Sequence, residues 1–256
     1  NSFNIHQDGP RLVFREEENP RAKLMACARN DKLFTDGSDQ AQLAKQIRYV
    51  IGGTDEVARA FRVIALPKSW QTDPWSALEE KERPDQWDDR LPILVLPEEP
   101  DNLDQRLGCW LKDHLQKRRN TIRFLLPRSG SSNAFLDRDL LILARAEMKA
   151  QEWSGQGPEY KKLHTEFQGV LRDNLKKRFD RFAVLSRWNF ADPNQCLFSV
   201  ESLKKQGSQI PEAIEEALVN DLFVHEDLAD LVLEAAANKV SVGKLLQEMS
   251  EPRPAG

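Results

Sequence analysis

The chain has 256 residues, 40% of them hydrophobic and 30% charged, and its formal net charge is -4. This profile is typical of a soluble globular protein with a substantial core, and its charge balance gives no global reason to expect nucleic acid as a partner. No run approaches the roughly 18 consecutive apolar residues that a membrane helix needs, so we expect no membrane association.

Three short apolar runs share one design, because each is rich in β-forming residues and each closes in Leu-Pro. They span residues 61–67, 93–97 and 122–127. Continuous apolar runs are typical of strands that are covered on both faces, as in parallel sheets. A fourth run, residues 11–15, predicts a further edge strand.

Helical periodicity separates these runs. Apolar residues recur at helical spacing in residues 41–51, 102–118 and 140–148. Strand alternating with helix implies right-handed crossovers. The sequence therefore predicts an α/β fold, a mostly parallel sheet with helices on both faces.

The second half of the chain has a different character. Apolar residues at three- and four-residue steps predict a long helix from Leu163 to Phe182, and residues 183–188 and 197–200 could pair as a small ribbon. After Gly207 the chain becomes acidic, and its apolar residues are spaced as in helices. Over residues 228–249 this spacing resembles that of a winged-helix domain. We therefore predict two domains, an α/β domain over 1–207 and a small helical subdomain over 208–256.

Several chemistries are missing from the sequence. It contains no P-loop, no G-x-G-x-x-G fingerprint, no G-x-S-x-G elbow and no clustered Cys and His with zinc-ligand spacing. The three cysteines are scattered and odd in number, which argues against a disulfide framework and makes a reducing cytoplasm the expected compartment. We predict no cofactor for this segment, and no catalytic or metal-ligating residue.

The loop after the third apolar run is the first candidate site. In open α/β sheets, ligands bind outside the carboxyl ends of the strands, and a hydroxyl-rich loop before a helix can hold an anion. The candidate anion- or nucleotide-binding residues are Arg128, Ser129, Gly130, Ser131 and Asn133. The alternative is an ordinary crossover loop in which Asn133 or Asp137 caps the next helix.

An acidic stretch from Gln71 to Asp104 is the second candidate. Paired carboxylates there could serve a metal-dependent nuclease or phosphoesterase, the enzymatic alternative for this chain. The acids in question are Asp88, Asp89, Glu98 and Asp101. We favour the simpler interpretation, in which the stretch is a solvated insertion whose tryptophans pack back on the sheet.

A basic face on the predicted long helix, residues 161–188, is the third candidate. It could dock an acidic partner surface or meet phosphates, and the residues chosen for this role are Lys176, Lys177, Arg178 and Arg181. DNA binding through this helix is a weaker alternative because the chain as a whole is acidic. The remaining alternative is a solvated face of an amphipathic helix.

Several stretches together carry a resemblance to a known family. They are residues 14–20, the Arg119-Asn120-Thr121 lead into residues 122–125, the helix over 140–153, the segment 178–182, Trp188-Asn189-Phe190, and residues 251–254. In this order they resemble the C-terminal half of large bacterial P-loop ATPases associated with phage defence, of the Pgl and BREX type.

The resemblance implies that this chain is part of a larger ATPase, but it assigns no active-site residue to the chain itself. It implies that the full-length protein binds and hydrolyses ATP with Mg²⁺ through a P-loop upstream, and that this chain is an excised segment, in keeping with its start at Asn1. No position here matches that P-loop. We therefore expect a non-catalytic interaction or regulatory module, whose partners are other domains of the same polypeptide and defence-system proteins.

Overall fold

The structure, a computed structural model, describes residues 5–14, 19–115, 117–189 and 191–218, together with residues 233, 236, 237 and 241. The strands are β1 (Ile5–Asp8), β2 (Arg11–Phe14), β3 (Phe61–Ala65), β4 (Leu91–Val95), β5 (Arg123–Pro127), β6 (Phe179–Arg187) and β7 (Leu197–Ser202). The α-helices are α1 (Pro20–Ala28), α2 (Ser38–Gly52), α3 (Asp55–Ala60), α4 (Leu103–His114), α5 (Arg138–Glu152), α6 (Pro158–Arg178) and α7 (Ile210–Leu218).

The chain divides into two compact units, and both are discontinuous in sequence. One, the helical unit, comprises Asn1–Val50 and Ser132–Arg178. The other, the sheet unit, comprises Ile51–Ser131 and Phe179–Gly256. The predicted boundary between residues 207 and 208 stays a prediction, because most of residues 208–256 lies outside the described part of the chain.

The sheet unit is built on one five-stranded sheet in the order β3-β4-β5-β6-β7. The strands β3, β4 and β5 are parallel neighbours, with Phe61 opposite Leu91 and Ile93 opposite Arg123. The strands β6 and β7 continue the sheet in antiparallel pairs. The α/β prediction and the three parallel strands are therefore confirmed, and the sheet as a whole is mixed.

Burial explains why the three Leu-Pro runs form strands. Residues 64–66, 93–96 and 124–126 are all at most 2% exposed, so both faces of these strands are covered. Four tryptophans extend this core: Trp70 just before the acidic stretch, Trp75 and Trp87 within it, and Trp110 in α4. Trp70 and Trp110 are buried, Trp87 is almost buried, and Trp75 packs edge-on against Trp87. The expectation that the tryptophans of the acidic stretch, Trp75 and Trp87, pack back on the sheet is confirmed.

The predicted helix through Phe182 is wrong at its end. Helix α6 stops at Arg178, and Phe179 already pairs with Pro127 in the sheet. A β-bulge between Leu126 and Pro127 inserts an extra residue into β6, so that Phe179 and Phe182 are both buried although they are three residues apart. The bulge therefore produces a three-residue spacing that imitates a helix.

The strand predicted over residues 11–15 is present as β2, but it lies outside the main sheet. β2 pairs with β1 in a separate two-stranded antiparallel sheet, with Asp8 opposite Arg11. Gly9, at a φ of 58°, provides the left-handed backbone of the tight turn between them. The backbone of β2 therefore pairs within this short local hairpin and not with a strand of the main sheet.

One close approach holds α4 beside the segment that precedes β7. A Cβ on Gly108 would lie 2.2 Å from the carbonyl oxygen of Pro193 and 3.0 Å from the Cβ of Cys196. Only glycine fits between these groups. The carboxylate of Asp104 also accepts a hydrogen bond from the backbone N–H of Phe198, which ties the start of α4 to β7.

The helical unit packs α5 against α6 and α1. Its apolar cluster includes Leu24, Ala146, Ala150 and Phe167. Asp137 caps α5 by accepting from the backbone N–H groups of residues 139 and 140, as the crossover-loop alternative predicts. The predicted helices over 41–51, 102–118 and 140–148 correspond to α2, α4 and α5, respectively.

The predicted acidic C-terminal subdomain is described only at its start. Helix α7 carries the buried Ile214 and Leu218, and Glu215 pairs with the buried Arg123 at 2.9 Å. The winged-helix-like spacing over 228–249 lies almost wholly outside the described residues. Within the described ranges, no helix combines the length and the apolar composition that crossing a bilayer requires.

Candidate functional site

The carboxyl edge of the parallel strands gathers charged residues from three strand ends. Glu98 and Glu99 follow β4, and Arg128 and Ser129 follow β5. Strand β6 begins at the same edge because it runs antiparallel to β5, which brings in Asp180 and Arg181. We call Glu99, Arg128, Ser129, Asp180 and Arg181 the carboxyl-edge cluster.

Glu99 is the most tightly held member of this cluster. Arg181 donates from Nη1 to Oε1 at 2.8 Å and from Nη2 to Oε2 at 2.9 Å, the two-pronged geometry that arginine offers a carboxylate. Ser129 Oγ donates to Oε2 at 3.0 Å. Chiefly through the hydrogen bonds from Arg181, the pKa of Glu99 is held below its ordinary value.

Arg128 and Asp180 form a second, looser pair. Arg128 Nε lies 3.4 Å from Asp180 Oδ2, and the two side chains are 52% and 37% exposed. Gly130 follows with a φ of 77°, a left-handed conformation that closes the turn in which the N–H of Ser131 donates to the carbonyl of Arg128. The cluster as a whole holds two cations and two anions.

The structure shows what each residue of the predicted anion loop contacts. Arg128 and Ser129 already interact with carboxylates, while Gly130 and Ser131 shape the turn. Asn133 is buried, and its side-chain oxygen accepts a hydrogen bond from the N–H of Phe135. The loop's cation and one of its hydroxyls thus have internal partners, and anion binding there stays a prediction.

The predicted docking residues divide into two kinds. Lys176 and Lys177 are exposed on the last turn of α6, where Lys176 also donates to the exposed Asp173 at 3.2 Å. Arg178 instead donates to Asp137 at 3.2 Å and to the carbonyl of Ser132, and its burial lowers the pKa of its guanidinium. Arg181 lies in β6, where it holds Glu99. Only the two lysines are thus exposed for a partner.

The four acids of the enzymatic alternative do not lie together. Asp88 and Asp89 precede β4, whereas Glu98 and Asp101 follow it. A five-residue strand separates the pairs, which at about 3.3 Å per residue places Asp89 and Glu98 at opposite edges of the sheet. Glu98 accepts a hydrogen bond from Trp70 Nε1 at 3.2 Å. Among the described residues, no three His, Cys, Asp or Glu side chains are grouped as metal ligands.

The amino edge of the same strands carries a different arrangement around Asp88. Arg90 Nε donates to both carboxylate oxygens at 3.0 Å, and Arg62 Nη2 donates to Oδ2 at 2.9 Å. Arg118 donates to the backbone carbonyl of Asp88. We call Arg62, Arg90 and Arg118 the amino-edge arginines. Mainly through Arg90, the pKa of Asp88 is lowered far below its ordinary value.

The helical unit contains a third polar cluster, which is internal. Glu147 is 1% exposed and accepts hydrogen bonds from the side-chain amides of Gln42, Gln46 and Gln168. His164 Nε2 lies 3.5 Å from the same carboxylate. Because buried polar groups need hydrogen-bond partners, this arrangement is explained by the packing of α2, α5 and α6.

The sequence prediction missed Glu99 and the three amino-edge arginines. The partners of Glu99 lie 30 and 82 residues away, and those of Asp88 include Arg62 at 26 residues. The available signals were weak, namely the second acid after a strand end and an arginine two positions after Asp88. Only the strand register brings these groups together.

Comparison with known proteins identifies no relative. The chain matches no protein-family model, no curated protein and no solved structure.

Proposed function

We propose that this chain is a non-catalytic interaction module. The observation that carries the proposal is the set of hydrogen bonds that Glu99 accepts. This carboxylate lies at the edge where open α/β sheets bind their ligands. Arg181 and Ser129 hold it with three hydrogen bonds, and the pKa of Glu99 is lowered. A general base works best when its pKa lies near the working pH, so this carboxylate is a poor base.

The other carboxylates at the strand ends support the same conclusion. Asp88 is paired with two arginines, and its lowered pKa also makes it a weak base. Asp180 is paired with Arg128. These acids therefore act as counter-ions that hold the strand ends, a structural role.

We further propose that the module belongs to a larger bacterial ATPase of phage defence, in which ATP and Mg²⁺ bind elsewhere. The support is the sequence resemblance described above. The surface proposed for docking is the exposed end of α6 at Lys176 and Lys177. It would meet an acidic region of another domain or of a defence-system protein, which would compete with Asp173 for Lys176.

The catalytic part of the proposal is tested by turnover. The purified chain is assayed for ATP hydrolysis with Mg²⁺ and for DNA cleavage with Mg²⁺ or Mn²⁺, beside Glu99→Gln and its neighbour Glu98→Gln as the matched control. We expect no turnover from any of the three proteins. Turnover that is lost in Glu99→Gln and kept in Glu98→Gln would overturn the proposal.

The interaction part is tested by association with a separately produced P-loop ATPase of the type the sequence resembles. We expect binding that weakens in a Lys176→Glu/Lys177→Glu variant. The control is Lys161→Glu/Lys162→Glu, which makes the same charge change on exposed residues at the start of α6. Absence of association, or equal loss in both variants, would contradict this docking surface.

A further inference from the structure

The amino-edge arginines carry more positive charge than their surroundings neutralise. Three guanidinium groups converge on Asp88, two at its carboxylate and one at its carbonyl. Among the described residues, no other carboxylate lies within ion-pair distance of these three arginines. One negative charge against three positive charges leaves a local excess of two.

Backbone carbonyls take up part of the donor capacity, since Arg62 Nη1 donates to the carbonyl of Lys81 at 2.7 Å and Arg90 Nη1 to that of Ala58 at 3.1 Å. Other donors stay unused. Arg62 has a side chain only 12% exposed, yet its buried Nε has no hydrogen-bond partner within the described part of the chain. A buried donor without a partner costs free energy. Arg118 is exposed and uses one of its five N–H groups in the contact with Asp88.

The backbone at Arg118 adds a second sign of a constrained site. Its φ of 62° is left-handed, a conformation that is unfavourable for a non-glycine residue. Strained backbone of this kind often occurs where a side chain must be held in a particular place. Here the strain accompanies a guanidinium that is brought to the carbonyl of Asp88.

We propose that Arg62, Arg90 and Arg118 form a binding site for a phosphate monoester group. Guanidinium groups recognise phosphate oxygens through paired N–H donors. A monoester dianion carries the two negative charges that the site lacks, whereas a carboxylate or a phosphodiester carries only one. The match of charge and of donors therefore selects the monoester. This proposal does not rest on the proposed function, because that function is carried by Glu99 at the opposite edge of the sheet and phosphate binding at the amino edge requires no catalysis.

Asp88 is the internal competitor of this ligand. Its carboxylate occupies donors of Arg62 and Arg90, and its side chain is half exposed. A phosphate group that approaches these arginines meets the negative charge of Asp88. Asp88 therefore limits the affinity of the site and keeps the arginines in position while the site is empty.

The first test measures binding of inorganic phosphate and of phenyl phosphate by equilibrium dialysis at constant ionic strength. We expect both probes to bind, and Arg118→Gln to weaken binding roughly tenfold or more, as the loss of charge-assisted hydrogen bonds implies. The control is Arg106→Gln, an exposed arginine on α4, which leaves binding unchanged. The melting temperature of each variant shows that it is folded.

The second test changes the competitor. We expect Asp88→Asn to bind phenyl phosphate more tightly by roughly tenfold, because one opposing charge is removed. Asp89→Asn, an equal charge change at the adjacent exposed residue, should have little effect. Absence of phosphate binding in the unmodified chain, or equal effects of the two asparagine variants, would overturn the proposal. So would equally tight binding of an oligonucleotide that has no terminal phosphate.

Discussion

The two edges of the parallel strands carry similar residues in different balance. At the carboxyl edge, two arginines meet two carboxylates, and Glu99 and Arg181 satisfy one another through two hydrogen bonds. At the amino edge, Arg62 and Arg90 meet the carboxylate of Asp88, and Arg118 meets its backbone carbonyl. One edge is therefore neutral, and the other retains positive charge. Each edge also has one buried side-chain atom that makes no hydrogen bond within the described residues, Asp180 Oδ1 at the carboxyl edge and Arg62 Nε at the amino edge.

This difference shows that residue type alone does not distinguish a structural cluster from a binding site. The balance of positive and negative charges distinguishes them better. Both edges contain arginine beside acid, which the sequence alone presents as equivalent. The carboxyl edge, where ligands of open α/β sheets bind, is the edge whose charges are already neutralised. The edge with unmet positive charge is the opposite one.

The largest expected effect comes from removing Arg181 from the neutral carboxyl edge. Arg181→Met removes both hydrogen bonds to Glu99 and the one to the carbonyl of Pro127, and it leaves a largely buried carboxylate without its cation. We expect a loss of about 2 kcal/mol in the free energy of unfolding, measured by urea denaturation. Arg187→Met, at the exposed end of the same strand, is the control and should cost little.

A smaller effect is expected at the amino edge. Arg62→Met removes one arginine from Asp88 and the hydrogen bond to the carbonyl of Lys81. Asp88 is half exposed and keeps Arg90, so water and Arg90 replace much of the lost interaction. We expect a loss of about 1 kcal/mol in the same measurement. A loss larger than that of Arg181→Met would reverse the proposed ranking of the two edges. Arg59→Met, at an exposed arginine nearby in sequence, is the reference.

The smallest effect is expected for the outer pair of the carboxyl edge. Arg128 and Asp180 are 52% and 37% exposed and 3.4 Å apart, and exposed ion pairs contribute little. Arg128→Gln should change the free energy of unfolding by less than about 0.5 kcal/mol. A larger loss would mean that the anion loop itself stabilises the carboxyl edge.

The strands of the sheet could be predicted because their signal is local. Residues 93–96 are apolar without interruption and are buried on both faces, so pattern and burial agree. The end of α6 could not be predicted, because the bulge opposite Pro127 gives Phe179 and Phe182 a helical spacing within a strand. The partner of β2 was missed for a related reason, since an apolar pattern shows that a run is a strand without showing its neighbour.

The sites were harder to predict than the fold. Arg181 was chosen as a docking residue on a helix, but its role depends on Glu99, which lies 82 residues away in sequence. Asp88 was grouped with Glu98 because both flank one strand, although the strand itself carries them to opposite edges. Pairing between distant charges follows from strand register, and a single sequence does not display it.

The pairing of Glu99 with Arg181 also affects the stability of the fold in acid. Its pKa is lowered in the folded chain, so its pairing with Arg181 stabilises the fold above the pKa of the unfolded chain. That contribution is lost as the pH falls through the lower, folded-state pKa. In acid, below about pH 4, the unmodified chain should therefore lose stability more steeply than Arg181→Met.

The most direct test of the non-catalytic proposal is an NMR pH titration of the side-chain carboxyl carbon of Glu99. The account predicts a midpoint below that of an ordinary glutamate, and a rise of this midpoint toward the ordinary value in Arg181→Met. A midpoint at or above the ordinary value in the unmodified chain, or one that Arg181→Met leaves unchanged, would contradict the account, because Glu99 would then be available as a base.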